Sequence, residues 1–308
     1  MTTCSAPGKI ILFGEHAVVY GRPALAVPVT QVQATATVSE ASLPGVRIVA
    51  PEIGLDSELS RLTPDHPLAA VIQGVLSSPG MPVSPPIIVQ INSTIPVASG
   101  LGSGAAVSVA VIRALSGFLG HSLPDEAVSA LAFEIEKLHH GTPSGIDNTV
   151  ITYAKPVYFV KDQPIEILRP GAPFFLVIGD TGIAAPTKES VGDVHRLREA
   201  EPTRWERVFD EIGRIVNQAK ARIRSGDWRG LGKLMDINHL LLQDLTVSST
   251  KLDRLVEASR ACGALGAKMS GGGRGGNMIA LVEKENAPAV AEALRSAGAK
   301  RTIITQVG

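Results

Sequence analysis

Cysteine is almost missing from this chain: 308 residues hold two, Cys4 and Cys262. Two thiols so far apart exclude a disulfide framework, offer no metal-ligand spacing and fit a reducing, cytoplasmic setting. Charge of one sign is missing too, because 29 Lys and Arg balance 29 Asp and Glu. That balance gives no electrostatic reason to expect nucleic acid or a membrane surface as partner. No run approaches the roughly 18 apolar residues of a membrane helix. The first residues show no basic segment leading into an apolar stretch, so no export signal is expected. Aromatics are scarce at 4%, whereas glycine (31) and proline (21) are plentiful. The length is enough to bury a large core in one or two domains, and the composition is that of a compact soluble protein with many tight turns.

What is present divides the chain in two. Val29–Glu40, VTQVQATATVSE, alternates and is rich in Val and Thr, which predicts a strand, and PPIIVQINSTI predicts another. A helix is expected after a glycine loop near residue 100, with Val107, Val111, Leu115 and Phe118 in phase. A second is expected from Pro124 to His140, burying Val128, Leu131, Ile135 and Leu138, with Asp125 and Glu126 in its first turn. Short strands broken by Pro and Gly between Tyr153 and Asp180 place a domain boundary there, giving domains 1–165 and 166–308. Beyond it, helices are expected at Lys188–Glu199, Thr203–Arg224, Trp228–Leu245 and Lys251–Ala261. The chain closes strand, glycine turn, strand, helix, strand. With PFFLVIGD opening the half, this suggests an elaborated split βαβ arrangement of ferredoxin-like type.

Four stretches carry candidate chemistry. Gly100-Leu101-Gly102-Ser103-Gly104 opens a helix, where unpaired N–H groups and the helix dipole favour an anion. It lacks the Lys-Ser/Thr of a P-loop, so it is either a phosphate loop whose positive charge comes from elsewhere or an ordinary turn. In APGKIILFGEHAVVYG, Lys9 at a strand edge is either a solvated charge or that missing cation. His16 lacks the second histidine of an H-E-x-x-H site, which turns it from metal ligand towards polar contact. In FEIEKLHHGTPSGIDNTV, Glu136 and Asp147 could split roles, one holding Mg²⁺ and the other taking a proton. Each also has a plain reading, as a surface helix glutamate and as a cap or turn aspartate. In GAKMSGGGRGGNMIALV, Gly271, Gly273 and Gly276 match G-x-G-x-x-G, but a strand follows instead of a helix, which excludes a dinucleotide site. Arg274 within it is a solvent-facing turn residue or a further phosphate contact.

GKIILFGEHAVVYG, PVASGLGSGAA and the C-terminal glycine loop, in that order, resemble the three motifs of the GHMP kinases, small-molecule kinases of galactose, homoserine, mevalonate and phosphomevalonate. HHGTPSGIDNTV and IGDTGIAAPTKESVGDVHRLRE are similar to the sequences of the mevalonate kinases among them. The resemblance runs the length of the chain and implies an α+β fold of two domains, mixed α/β followed by ferredoxin-like, with ATP and substrate in the cleft between them. It implies that Pro96, Gly100, Leu101, Gly102, Ser103, Gly104, Ala105, Gly272, Gly273 and Arg274 bind ATP and that Glu136 and Ser103 hold Mg²⁺. Asp147 and Lys9 would be catalytic, Asp147 taking the proton of the alcohol. Glu15, His16, Ser144 and Thr187 would contact mevalonate. The implied partners are mevalonate and ATP, in the cytoplasm, and the family is often dimeric.

Two positions depart from the family pattern. Gly104 stands where the family usually has the second of two serines, a metal ligand. Arg274 interrupts an otherwise all-small glycine loop, and its cation could offset that loss. Two other readings stay open at this point. A phosphomevalonate kinase or related decarboxylase would need more basic residues than Lys9, Lys188 and Arg196. A nucleotide-binding homologue without catalysis would have no reason to keep Lys9, Glu136 and Asp147 together. The galactose signature of galactokinases is absent.

Overall fold

The computed structural model describes residues 1–81, 86–96, 99–140, 143–185 and 187–308. Pro85, Val97, Ala98, Gly141, Thr142 and Pro186, which belong to stretches read above, lie outside the described residues. Among the described residues the order is β1 (Thr2–Phe13), β2 (Ala24–Glu40), β3 (Val46–Ala50), β4 (Leu55–Glu58), α1 (Pro67–Leu76), β5 (Ile87–Ser93), α2 (Ser103–Phe118), α3 (Asp125–His140) and α4 (Ile146–Tyr153). It continues with β6 (Val157–Phe159), β7 (Glu166–Ile167), β8 (Phe174–Asp180), α5 (Thr187–Ala200), α6 (Pro202–Ser225), α7 (Trp228–Asp244), α8 (Thr250–Ala261), β9 (Gly266–Ser270), β10 (Asn277–Val282), α9 (Ala287–Ser296) and β11 (Arg301–Val307).

The chain forms two compact units. One contains Met1–Lys9, Val32–Val97 and Gly102–Ala154, and the other contains Ile10–Gln31, Ala98–Leu101 and Lys155–Gly308. In the first, the strand expected at Val29–Glu40 is the later part of β2. Its residues 34–40 pair antiparallel with all of β5, Ala36 opposite Ile91, and β5 continues parallel to β3. Every second residue from Ala34 to Val38 is fully buried, the alternation of a sheet with one covered face. α2 packs against α1, α3, α4 and β5, so it is buried nearly all round, Ala105, Ala106, Val109 and Ala110 included, rather than along one stripe. The small residues between its larger ones permit that crowding. On α3, Val128, Ala132 and Ile135 are buried, but Leu138 is 57% exposed, against the expected stripe. A 3.6-residue period carries the apolar face past Leu138 and onto Glu136. Two helices go beyond the sequence expectations. α1 starts on Pro67 with the His66 ring capping Leu68 N–H, and α4 follows the left-handed Gly145. Both are short, ten and eight residues, below the length at which periodicity speaks clearly.

In the second unit four antiparallel strands run β11–β8–β10–β9. Counted from β8, that is the order 4-1-3-2 of a ferredoxin-like sheet, with α5 to α8 filling the first crossover and α9 the second. β9 and β10 are buried at every residue, because α7, α8 and α9 pack on this sheet and Ser270 ties β9 to the Ile11 carbonyl at 2.7 Å. The helices expected here all form. α6 is the longest, 24 residues with Phe209, Ile212, Ile215, Val216, Ala219 and Ile223 inward. No helix among the described residues is long and apolar enough to cross a membrane.

Candidate active site

In the first unit the charged cluster starts from two helix N-termini. Gly102 caps α2 in the left-handed conformation, with no side chain accepting from the first turn. A Cβ there would lie 2.8 Å from Ile151 Cδ1 and 3.0 Å from Lys9 Cγ. Glycine is therefore required twice, by conformation and by the approach of Lys9. The N–H groups of Ser103, Gly104 and Ala105 have no acceptor within the helix, since the ladder begins at Ala106, bonded to the Gly102 carbonyl at 2.9 Å. Asp147 is the second residue of α4, after the Gly145 cap, so it is neither cap nor turn residue. Its carboxylate meets Lys9 Nζ at 3.1 Å, with the lysine side chain 6% exposed and the aspartate 30%. Asn148 fastens α4 to α3 through the carbonyl and hydroxyl of Ser129, at 3.1 and 2.9 Å. Ser144 Oγ receives the Ile146 N–H at 3.4 Å.

Glu136 belongs to the same unit and is buried. Burial pushes its carboxyl up to about 7, the negative charge of Asp147 adds to this, and Lys9 opposes it. The Cβ that Gly104 lacks would stand 3.2 Å from Glu136 Oε1, so the glycine leaves open space directly against that oxygen. A buried carboxyl near a second carboxylate and beside open space suits a hard divalent cation. Among the described residues no group of three or more His, Cys, Asp or Glu gathers around one point. That agrees with the habit of Mg²⁺ of using one or two carboxylates and taking its other ligands from phosphates and water.

The second unit holds a different cluster. Glu15, 1% exposed, pairs with Lys268, fully buried, whose Nζ also donates to the Met269 carbonyl at 2.6 Å. Burial pulls the Lys268 ammonium below its usual range and Glu15 pulls it back up. His16 follows at φ 61°, ψ −49°, with Ala17 N–H bonded to the Glu15 carbonyl at 2.7 Å. That is a γ-turn of the strained, positive-φ kind, costing about 1–3 kcal/mol. His16 Nε2 lies 3.2 Å from the Gly272 carbonyl. A carbonyl only accepts, so Nε2 carries the proton. Burial lowers this imidazole to about 4, the Gly272 bond opposes, and Arg274 and Lys268 add to the lowering. The ring is neutral at pH 7, and Nδ1, a bare lone pair, is buried with no partner among the described residues.

The C-terminal glycine loop is shaped by its own chain. A Cβ on Gly272 would stand 2.6 Å from Thr187 Oγ1, and one on Gly273 would stand 1.9 Å from the Val247 carbonyl. Arg274, at φ 60°, is half-buried and bonds Asp193 on α5, so it is neither a solvent-facing arginine nor an unengaged cation. Its N–H also reaches the Val247 carbonyl at 2.8 Å. Asn277 Nδ2 donates to the Ser99 carbonyl at 2.5 Å, fixing the start of the Gly100–Leu101 segment. Lys188 is exposed and Arg196 pairs with Asp193.

The structure thus brings Lys9, Gly102, Ser103, Gly104, Glu136 and Asp147 together in one unit, and Glu15, His16, Thr187, Gly272, Gly273 and Arg274 together in the other. Sequence reasoning missed Lys268, Asp193 and Asn277. A lysine in the apolar strand GAKMS, with no alternation to carry it to solvent, was the one available signal for Lys268. The other two partner groups 178 and 81 residues away and left none.

The family models "GHMP kinases N terminal domain" and "GHMP kinases C terminal" match residues 68–155 and 219–300. The mevalonate kinase of Thermococcus gammatolerans is 38% identical, over 96% of this chain and 92% of its own. That of Pyrococcus furiosus is 39% identical over the same shares. The crystal structure of L. major mevalonate kinase in complex with R-mevalonate superposes with a TM-score of 0.86 at 31% identity, covering 100% of this chain and 96% of the other. The chain belongs to the GHMP kinase family, among its mevalonate kinases.

Proposed function

We propose that the chain transfers the γ-phosphoryl group of ATP to the 5-hydroxyl of (R)-mevalonate. The observation that carries this is the Lys9–Asp147 pair, 3.1 Å apart, with the lysine almost buried and the aspartate partly open. A primary alcohol is a weak nucleophile, and phosphoryl transfer is mainly positioning and charge neutralisation. Asp147 accepts the hydroxyl proton as the oxygen attacks, and the Lys9 ammonium stabilises the developing alkoxide. The N–H groups of Ser103, Gly104 and Ala105, with the α2 dipole, receive phosphate oxygens. Pro96, Gly100 and Leu101 continue that loop, and Gly272 and Gly273 contribute from the C-terminal loop, whose Arg274 is engaged by Asp193.

Mg²⁺ fits at Glu136, with the Ser103 hydroxyl as a further ligand, and supplies neutralisation of phosphate charge when bound. Gly104 offers no side-chain oxygen, so the remaining ligands would come from phosphate and water. His16 receives a mevalonate hydroxyl on Nδ1, with Ser144 and Thr187 as further substrate contacts and Glu15 acting beside His16. This assignment predicts ADP release from ATP and Mg²⁺ with (R)-mevalonate, followed in a coupled assay with phosphomevalonate and galactose run in parallel. Turnover on mevalonate alone supports it. Turnover on phosphomevalonate alone, or nucleotide binding without turnover on any of the three, overturns it.

A further inference from the structure

The Glu15–Lys268 pair has no evident purpose as a stabiliser. A buried ion pair roughly breaks even against a packed apolar pair, because desolvation consumes the Coulombic gain. This one also accompanies a strained γ-turn at His16. Nor is Lys268 placed to touch a ligand. It is fully buried, its Nζ is engaged by the Glu15 carboxylate and the Met269 carbonyl, and the Phe13 ring lies alongside with its centroid 6.0 Å away.

What Lys268 does have is a fixed seat. β9 is anchored at the two residues that follow, Met269 N–H to His239 Nδ1 at 3.3 Å and Ser270 Oγ to the Ile11 carbonyl at 2.7 Å. The pair transmits that seat to Glu15, whose carbonyl closes the γ-turn through Ala17 N–H at 2.7 Å. On the far side of the turn, the Gly272 carbonyl holds His16 Nε2. With the turn fixed at one end and the ring at the other, the lone pair of Nδ1 has one direction. Among the described residues it is one of the buried polar atoms left without a partner.

We propose that Lys268 is a positioning residue which, by holding the Glu15 carboxylate, keeps the γ-turn at His16 closed and presents Nδ1 as a preset acceptor for a substrate hydroxyl. The substrate half of this rests on the assignment of His16 above; the positioning half does not.

The test compares wild type, Lys268→Met, the double variant Glu15→Gln/Lys268→Met, and Leu255→Ala as a core control with lowered Tm. The double variant leaves no unpaired buried charge and keeps the test alive if the single variant fails to fold. Each protein is assayed for kcat and for the mevalonate KM, and its His16 ring is read by ¹⁵N–¹H correlation. Wild type and Leu255→Ala should show the Nε2–H tautomer alone and the same KM. In the Lys268 variants the ring should lose that single tautomer. Their KM should rise about 10-fold or more with kcat within about threefold, as expected for lost uniform binding. An unchanged ring and unchanged KM in the double variant overturn the proposal. A changed ring with unchanged KM leaves Lys268 as a positioning residue and overturns His16 as a mevalonate contact.

Discussion

Each unit of this molecule builds a lysine–carboxylate pair, and the two pairs differ in what surrounds them. Lys9 and Asp147 leave the aspartate 30% exposed, against two helix N-termini that open on left-handed glycines, with a second carboxyl nearby that holds its proton more tightly than usual. Lys268 and Glu15 are sealed, 0% and 1% exposed. Identical functional groups thus receive different tasks from solvation alone. A partly open pair can exchange a proton with something that arrives, whereas a sealed pair can only hold a shape. The same contrast appears in the shifted groups. Burial raises Glu136 to about 7 and lowers His16 to about 4, in both cases favouring the neutral form.

The comparison breaks first at Asp147. Asp147→Asn should lower kcat at least ~10²-fold with a modest change in KM, as for loss of a general base. Near-wild-type turnover would remove Asp147 from the chemistry and make the first pair as structural as the second.

The next effect is on stability and has opposite signs in the two clusters. Glu136 has a raised folded pKa, so its contribution is complete below pH 4.5 and is lost as pH climbs through about 7. His16 has a depressed one, so its contribution is complete above pH 6.5 and is lost as pH falls towards about 4. Each amounts to about 3 kcal/mol at most. Metal-free Glu136→Gln should therefore lose less Tm than wild type between pH 5 and 8, and His16→Asn should lose less between pH 6.5 and 4. Parallel curves for wild type and Glu136→Gln would mean that Glu136 carries no raised pKa. In a direct titration, Glu136→Gln should also weaken Mn²⁺ binding in the presence of a non-hydrolysable ATP analogue.

A smaller effect is expected at the approach of Lys9. Gly102→Ala adds a methyl where Ile151 and Lys9 already sit and forces a left-handed alanine, costing about 1–3 kcal/mol. Thermal denaturation reads that cost, and kcat should fall with it because Lys9 must give way. The smallest effect is expected at Arg274. Its charge is engaged by Asp193 and its φ of 60° already suits glycine. Arg274→Gly should change the ATP KM by less than ~3-fold. A larger rise would show that this cation leaves Asp193 for the nucleotide.

These two clusters were also unequally legible. Lys9, Gly102, Glu136 and Asp147 sit in local patterns, a glycine loop opening a helix and a carboxylate just past a Pro-Ser-Gly turn, and such patterns survive in one dimension. The helices with long apolar periods and the β8-to-β11 succession were readable for the same reason. Lys268 was not, because its partner stands 253 residues earlier and a lysine within a strand resembles an edge charge. The γ-turn at His16 was not either, since nothing in Gly-Glu-His announces a positive φ on histidine. The exposure of Leu138 shows the limit of periodicity, in that an apolar residue in phase can still fall past the end of the covered face.

The central claim is that a primary hydroxyl of mevalonate attacks ATP under the charge of Lys9 and Asp147. The most direct measurement is ³¹P–¹H correlation of the product formed from ATP, Mg²⁺ and (R)-mevalonate by wild type and by Asp147→Asn. We predict a single phosphomonoester coupled to the C5 methylene, formed rapidly by wild type and at least ~10²-fold more slowly by the variant. Inorganic phosphate alone, or an ester on another carbon, would contradict the assignment.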